Sequence, residues 1–390
     1  MKRLPLLLVL LIACDPTMEE DADGGRSDAG RRDGGAPIDG ALIDDAAVAM
    51  PDAAIPDGVP MFVATGKFGR VTTSCDDGRT WSFNRSDDDG ASCEGIDCDH
   101  HPGSATGITY GDGYFFASFG WGDNPSRIFR SANGTDWDTV YDERGFSLAG
   151  IAWAGDRLVA GDPTPRYSLD ADAASITFAS AEWPDYDVPD GAWPNSRWIA
   201  YAPFESGRIA LVAAAGDGSF SDTVISEDEG LTYQHPTSFP DTCTGHGPRM
   251  AYGNGVWVQT WSTTGAVCTS SDGGDTFTYV DLGEGGSSGA VFTGTEFVVY
   301  IGSNGHRSVD GITWSSFPVS VSVGAMAMNP ATGTIIALDG NGWGRPYAMQ
   351  RIYRSTDGET FELLGESAFS HSHPLTHLTF GYGSSSASCP

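Results

Sequence analysis

The stretch SCDDGRTW, residues 74–81, brings a serine, two aspartates, a glycine and a tryptophan together within eight positions. Related stretches, here called boxes, recur as SANGTDW (131–137), SLDADAASITF (168–178), SEDEGLTY (226–233), SSDGGDTF (270–277), SVDGITW (308–314) and STDGETF (355–361). The first serines of successive boxes are separated by 37–58 residues. A pattern that recurs at this interval indicates a structural unit repeated seven times.

Each unit carries four short strand-like segments divided by glycine-rich turns. Between residues 107 and 140 these segments are GITYGDG, YFFASFG, RIFRSANG and TDWDTV. The box falls between the third and fourth segments, where Ser and Asp oxygens can accept backbone N–H groups and Gly can adopt a positive φ. We therefore interpret the following residues as structural turn-formers: Ser74, Asp76, Gly78, Trp81, Asp228, Asp272, Asp310 and Asp357.

Seven such units predict an all-β fold, a seven-bladed β-propeller of four-stranded antiparallel blades. The first unit begins with MFVATG (61–66) and has only three strands, whereas the chain ends with the single strand LTHLTFGYG (375–383). We expect this C-terminal strand to join the N-terminal blade and close the ring. Closure would give the first blade its fourth strand, and a ring of blades leaves only short, protected sheet edges.

The pattern Ser-x-Asp-x-Gly-x-Thr-Trp resembles the Asp-box, or BNR, repeat of sialidases, sortilin-type luminal domains, some xyloglucan-cleaving hydrolases and photosystem assembly factors. The resemblance covers residues 60–390 and implies a propeller, but the box is structural in each family and implies no single activity. Sialidases carry an Arg-Ile-Pro motif before the first box, and GKFGRVTT (66–73) lacks it. The photosystem factors display an arginine-rich patch, which this chain's few cations do not supply.

The N-terminus, MKRLPLLLVLLIAC (1–14), has the layout of a signal peptide, with two cations before a short apolar run. Its end, Leu-Ile-Ala-Cys, resembles the lipobox of bacterial lipoproteins and implies lipidation of Cys14; the alternative is an ordinary signal peptide. Residues 15–58 are rich in Asp, Gly and Ala and predict a disordered tether. Residues 59–390 are the predicted propeller, so we expect an exported protein anchored in the bacterial cell envelope, at the outer membrane, the cell surface or the periplasmic side.

The chain is strongly acidic, with a formal net charge of −31 and lysines only at positions 2 and 67. Nucleic acids and anionic lipid surfaces are bound through clustered Lys and Arg, so both are disfavoured as partners. We expect the lipid anchor to provide the membrane contact and the protein to be a monomer. No cofactor is indicated, although a structural or catalytic divalent metal stays open.

Six cysteines besides Cys14 suggest disulfides in an exported chain. The positions of these cysteines in the units favour the pairs Cys75–Cys389, Cys93–Cys98 and Cys243–Cys268. The loop CEGIDCDHH (93–101) has a metal-binding alternative that would use His100 and His101.

Function is expected at the face where the fourth strand of one unit leads to the next, since propeller loops gather there around the central channel. The candidate ligand-binding residues on this face are Trp121, Trp198, Arg249, Trp343, Arg345 and His377. Aligning the first strands of the units puts Trp198, Arg249 and His377 at one equivalent position, which should border the channel mouth.

Aromatic rings beside imidazole and acidic groups suit sugars, so the sequence favours a binding module that presents this face to a glycan or a protein. The alternative is a carbohydrate-active enzyme, a polysaccharide lyase or a glycoside hydrolase. Its candidate catalytic residues are His246, His373, His377, Tyr347 and Arg249. A hydrolase also needs a pair of carboxylates, and no spacing in the sequence singles one out.

Overall fold

The structure is a computed structural model that describes residues 58–66, 69–85, 105–120, 126–143, 148, 150–161, 165–182, 194–199, 209–215, 220–243, 249–261, 264–339, 351–364 and 375–384. Residues Ile55–Pro390 belong to one compact unit. The predicted signal peptide, Cys14 and the tether up to residue 57 lie outside the described residues. Within the described part, no helix is long and apolar enough to cross a membrane.

The described part of the chain is built from β-strands. In chain order they are β1 (Val59–Gly66), β2 (Val71–Ser74), β3 (Ser82–Arg85), β4 (Ala105–Gly111), β5 (Tyr114–Phe119), β6 (Ser126–Ser131), β7 (Asp138–Glu143), β8 (Gly150–Ala154), β9 (Arg157–Gly161), β10 (Arg166–Ser168), β11 (Phe178–Ser180), β12 (Pro194–Ile199), β13 (Ile209–Ala215), β14 (Phe220–Ser226), β15 (Arg249–Gly253), β16 (Val256–Trp261), β17 (Thr264–Ser270), β18 (Thr278–Asp281), β19 (Ser287–Phe292), β20 (Phe297–Ile301), β21 (Asn304–Ser308), β22 (Ser315–Pro318), β23 (Val323–Met328), β24 (Ile335–Asp339), β25 (Ile352–Ser355), β26 (Glu362–Leu364) and β27 (Leu375–Gly383).

These strands form seven antiparallel sheets in the described residues. The four-stranded sheets have the orders β27-β1-β2-β3, β4-β5-β6-β7, β8-β9-β10-β11, β15-β16-β17-β18, β19-β20-β21-β22 and β23-β24-β25-β26. The C-terminal strand β27 pairs with β1 from Val59 opposite Gly383 to Gly66 opposite Leu375. The two ends of the described chain therefore build one sheet together.

The sheet of β12, β13 and β14 has three strands in the described residues, whereas the sequence predicts four. After its box, the chain makes an isolated antiparallel bridge between Ile225 and Gln234. Pro236 and Pro240 follow, and a proline has no N–H to donate to a strand ladder. The prediction of a four-stranded blade is wrong here because these prolines stop the pairing.

The first strands of the sheets are here called the inner strands: β27, β4, β8, β12, β15, β19 and β23. Neighbouring sheets pack through them, with contacts of β27 to β4, β4 to β8, β8 to β12, β15 to β19, β19 to β23 and β23 to β27. A Cβ atom added to Gly111 of β4 would overlap the Trp153 ring of β8, and one added to Gly253 of β15 would overlap the Phe292 ring of β19. Only glycine leaves room for these rings, so the glycines set the distance between neighbouring inner strands.

The boxes also contact the preceding sheet. A Cβ on Gly230 of the fourth box would overlap Val159 of β9, and one on Gly78 of the first box would overlap Ile336 of β24. Both glycines have a positive φ, 87° and 82°, as their turns require. The first box thus packs on the last four-stranded sheet.

Asp77, the residue before the glycine of the first box, makes polar contacts between these two sheets. Arg354 of β25 donates from Nη2 to Asp77 Oδ2 at 2.7 Å and from Nε to the Asp77 carbonyl at 2.9 Å. The Asp77 carboxylate also accepts hydrogen bonds from Asn329 Nδ2 (2.9 Å), Thr332 Oγ1 (2.8 Å) and Thr334 Oγ1 (2.6 Å). This network joins the N-terminal sheet to the last one.

Other arginines directly before a box serine make a related contact. Arg130 donates to the Ala171 carbonyl at 2.8 Å, and Arg307 donates to the Asp357 carbonyl at 3.4 Å. In each case the guanidinium reaches the box of the following sheet. The repeated contact fixes one box relative to the next.

Cys243 and Cys268 form a disulfide, with their Cα atoms 5.9 Å apart. This bond ties the segment before β15 to β17 and confirms that predicted pair. Cys75 is also disulfide-bonded, and its partner lies outside the described residues. The pairs Cys75–Cys389 and Cys93–Cys98 stay predictions.

Candidate functional site

The box carboxylates are engaged within their own turns. In the first box, Ser74 Oγ donates to Asp76 Oδ1 and accepts the Gly78 N–H, both at 3.0 Å. Thr80 donates its N–H to Asp76 Oδ1 at 2.8 Å and its hydroxyl to Oδ2 at 2.7 Å. The indole N–H of Trp81 donates to the Gly78 carbonyl at 3.0 Å.

The same geometry recurs around Asp228, Asp272, Asp310 and Asp357. Partial burial alone would raise the pKa of Asp76, but hydrogen bonds from Thr80 and Ser74 outweigh it and hold the pKa below its usual value. The pKa of Asp310 falls to about 2, chiefly because it accepts the Thr313 N–H. Carboxylates held ionised inside turns are poor general acids at neutral pH.

The boxes lie at one end of the sheets, and the opposite end is called the loop face. The loop face is formed where the inner strands begin and the second strands end. Among the predicted ligand-binding residues, the structure describes the backbone of Trp198 in β12 and the side chains of Arg249 and His377. Trp121, Trp343 and Arg345 lie outside the described residues.

Arg249 and His377 occupy equivalent positions on their inner strands. Arg249 lies four residues before Gly253, and His377 lies four residues before Gly381. A Cβ on Gly253 would overlap Phe292, and one on Gly381 would overlap Tyr110, so both glycines meet the aromatic ring of the next inner strand. Arg249 and His377 are therefore equivalent in the packing of their strands as well as in the alignment of the repeats.

Arg249 and His377 influence each other electrostatically. Burial, and next the positive charge of Arg249, lower the pKa of His377 to about 3. Burial also lowers the pKa of Arg249. Both side chains nevertheless keep intermediate solvent exposure. At neutral pH the pair is one cation beside one neutral imidazole.

Each of these two residues has a threonine directly opposite on the neighbouring strand. Thr65 of β1 pairs with His377, and Thr260 of β16 pairs with Arg249. Directly paired residues have their side chains on the same face of a sheet, with Cβ atoms roughly 5 Å apart. Both threonines are 0% exposed, and neither hydroxyl has a hydrogen-bond partner in the described structure. We call Thr65, Arg249, Thr260 and His377 the polar site.

A further cation lies near this end of the first sheet. Arg70, between β1 and β2, is 1% exposed, and burial lowers its pKa to about 10. Its carbonyl accepts the Gly66 N–H at 2.9 Å. An arginine is thus found at the loop-face end of both the first and the fifth sheet, Arg70 buried and Arg249 partly exposed.

Several predicted site residues cannot be placed. His246, His373 and Tyr347, and the alternative metal ligands His100 and His101, lie outside the described residues. The described ranges contain no group of three or more His, Cys, Asp or Glu that would hold a metal ion.

Sequence reasoning missed the two threonines of the polar site. Their role depends on cross-strand register, which brings residue 65 beside residue 377, more than 300 positions away. A usable signal exists, because MFVATG and VWVQTW both place a threonine near the end of a second strand.

No family model matches the chain, and no curated protein has significant sequence similarity to it. Solved structures do match. A 6-phosphogluconolactonase candidate from Bacteroides fragilis has a TM-score of 0.55 at 8% identity, covering 83% of this chain and 98% of its own. The periplasmic gluconolactonase of Pseudomonas aeruginosa has a TM-score of 0.52 at 10% identity, covering 82% of this chain and 98% of its own.

The GH74 xyloglucanase from Xanthomonas campestris has a TM-score of 0.54 at 15% identity and covers 84% of this chain. Only 53% of the xyloglucanase is matched, so this chain spans about half of that enzyme. Identities this low carry information on fold alone. They give the chain the β-propeller fold, with structural neighbours that include gluconolactonase-like proteins and a glycoside hydrolase.

Proposed function

We propose that the protein is a lipid-anchored, seven-bladed Asp-box β-propeller of the bacterial cell envelope whose loop face binds a carbohydrate. The observation that carries the proposal is the polar site, where a guanidinium and a neutral imidazole, both partly exposed, occur at equivalent places on two sheets, each opposite a buried threonine. Such groups provide several donors and acceptors. Sugars, which carry many hydroxyls, are matched to them.

A closed ring of seven blades is supported by the behaviour of β27. This strand pairs with β1 in its own sheet and also contacts the inner strands β4 and β23 of two other sheets. In a closed propeller the inner strands surround a central channel. The polar site would then border the channel mouth on the loop face.

The pKa of His377 favours binding over acid–base catalysis at this position. A general base works best when its pKa is near the working pH, and a group with a pKa of about 3 is a weak base at neutral pH. A neutral imidazole still donates and accepts one hydrogen bond. His377 is therefore suited to holding a ligand.

Lipidation of Cys14 and the acidic segment 15–58 would tether this face at a distance from the membrane. More than one acyl chain gives stable anchoring, and an unfolded polar segment gives reach. The ligand would then be a glycan of the envelope or its surroundings. Two alternatives are that the ligand is a protein and that this chain is a carbohydrate-active enzyme. The test below separates them from the proposal.

The test uses residues 15–390, which lack the predicted signal peptide and the lipidated cysteine, on a glycan array, with hits measured by calorimetry. We expect saccharide binding that Arg249→Gln weakens and Arg79→Gln does not, since Arg79 is an exposed box residue that donates to the Asp76 carbonyl. Absence of binding to any saccharide would contradict the proposal. Release of reducing ends or unsaturated sugars from a bound polymer would show that the protein is a carbohydrate-active enzyme instead.

A further inference from the structure

A tight turn of two residues, Asn254 and Gly255, joins the first two strands of the fifth sheet. Strand β15 ends at Gly253, β16 begins at Val256, and these two residues pair with each other. Asn254 has a φ of 51° and Gly255 a φ of 76°, as in a type I′ hairpin turn. Because the ladder closes between Gly253 and Val256, the N–H of Gly255 takes no part in it.

Both turn residues face solvent. Asn254 and Gly255 are exposed, and no atom outside the chain neighbours of Gly255 lies within 4 Å of the place where its Cβ would be. Water therefore reaches the Asn254 carboxamide and the backbone nitrogen that follows it. The tip of a hairpin also opens more easily than the interior of a sheet, because fewer contacts hold it.

The described residues contain two further Asn-Gly pairs, and the asparagine of the first is held by hydrogen bonds. In the second box, Asn133 Oδ1 accepts the N–H groups of Thr135 at 3.0 Å and Asp136 at 2.8 Å. Its Nδ2 donates to Asp136 Oδ2 at 2.8 Å. These bonds fix the Asn133 carboxamide within the turn.

The second of these pairs, Asn304 and Gly305, lies in the strand β21. Gly305 is paired with Tyr300 of β20 on one side and with Phe317 of β22 on the other. A Cβ on Gly305 would overlap the Phe317 ring, so the backbone is also confined by packing. Movement of this backbone would break the pairing on both sides.

We infer that Asn254 is a site of spontaneous covalent modification, at which the asparagine is converted to aspartate and isoaspartate. The backbone nitrogen of Gly255 loses its proton to a solvent base and bonds to Asn254 Cγ. The Cγ–Nδ2 bond breaks, and ammonia leaves a five-membered imide. Water then opens the imide, giving aspartate if it adds at Cγ and isoaspartate if it adds at the main-chain carbonyl carbon. The sum is one water consumed and one ammonia released, without any oxidant or reductant.

The two products differ in their effect on the sheet. Aspartate fits this turn, since Asp112 and Gly113 form the same turn between β4 and β5 with φ values of 49° and 78°. Isoaspartate adds a methylene to the main chain of a two-residue turn. The pairing of Gly253 with Val256 then changes, and Gly253 is the residue that lies against the Phe292 ring of β19. Isoaspartate at this position therefore loosens the packing of the fifth sheet on the sixth.

The test compares the three Asn-Gly pairs in the folded and the unfolded chain. Residues 15–390 are kept in warm, mildly alkaline buffer, with and without guanidinium, and peptide mapping by mass spectrometry follows each asparagine. In guanidinium the three should convert at similar rates, because the dipeptide is the same. In the folded chain Asn254 should convert at least about 10-fold faster than Asn133 or Asn304, which need a larger local opening. Conversion of Asn254 no faster than that of the other two would overturn the inference.

Variants test the structural consequence. Asn254→Gln should be protected, since the corresponding ring has six members and closes far more slowly, and Asn304→Gln is the matched control. After ageing, the midpoint of urea unfolding should fall more for the unaltered chain and for Asn304→Gln than for Asn254→Gln. Equal falls in all three would overturn the assigned effect of isoaspartate on the sheet. If Asn254→Gln does not fold, the mapping of the unaltered chain still decides whether Asn254 is the modified site.

Discussion

Replacing Asp77 by Ala tests how the first and last sheets are held together. The change removes the acceptor of hydrogen bonds from Asn329, Thr332, Thr334 and Arg354. The Asp77 and Arg354 side chains are only 16% and 11% exposed, so the variant leaves a largely buried guanidinium without its carboxylate. Breaking such a pair from one side costs about 3 kcal/mol of unfolding free energy.

Glu229→Ala is the matched control, because Glu229 holds the same place in the fourth box and has nearly the same φ, 59° against 61°. Its carboxylate is 34% exposed and lies 3.5 Å from Arg157 Nη2, so its loss should cost less than about 1 kcal/mol. Equilibrium urea unfolding with disulfides intact, followed by tryptophan fluorescence, measures both. A difference between the variants below about 1 kcal/mol would refute the assigned role of Asp77.

Three further predictions concern the packing, the polar site and the N-terminal sheet. Gly253→Ala should lower the free energy of unfolding by about 3 kcal/mol because its Cβ would overlap the Phe292 ring. Its control is Gly255→Ala, which has open space around it but a φ of 76° and should cost about 1 kcal/mol. Equal costs of the two changes in urea unfolding would contradict the packing argument. The folded pKa of His377, about 3, lies below its usual 6.5, so the unfolded chain binds the proton first and stability falls as pH drops from 6.5 towards 3. When the pH is lowered from 7 to 5, the free energy of unfolding should fall less for His377→Gln than for the unaltered chain, by on the order of 1 kcal/mol. An equal fall for both proteins would argue against a buried neutral imidazole. Peptide mapping under non-reducing conditions should recover Cys75 linked to Cys389, and a different partner for Cys75 would show that prediction to be wrong.

The repeated fold could be predicted because its signals are local. A box contains its own donors and acceptors within a few residues, as Ser74, Asp76 and Thr80 illustrate, and glycine spacing follows the turns. The three-stranded sheet could also be predicted, because Pro236 and Pro240 lie where the fourth strand would pair. The box by itself predicts a fourth strand there, and the prolines after it explain why the pairing stops.

Contacts between sheets could not be predicted in the same way. Asp77 is one of two adjacent aspartates, and only the arrangement of the last sheet makes it the acceptor for Arg354. Thr65 and Thr260 become members of the polar site through strand register. Alignment of repeats did find Arg249 and His377, because equivalent positions in repeats occupy equivalent positions in space. Their mutual effect on the pKa of His377 required the three-dimensional arrangement.

The most direct test of the central claim is a crystal structure of residues 15–390 with the saccharide that binds best. The account predicts the ligand at the loop face, with sugar hydroxyls towards Arg249 and His377. A ligand bound among the boxes, or on an outer strand away from Arg249, would contradict it.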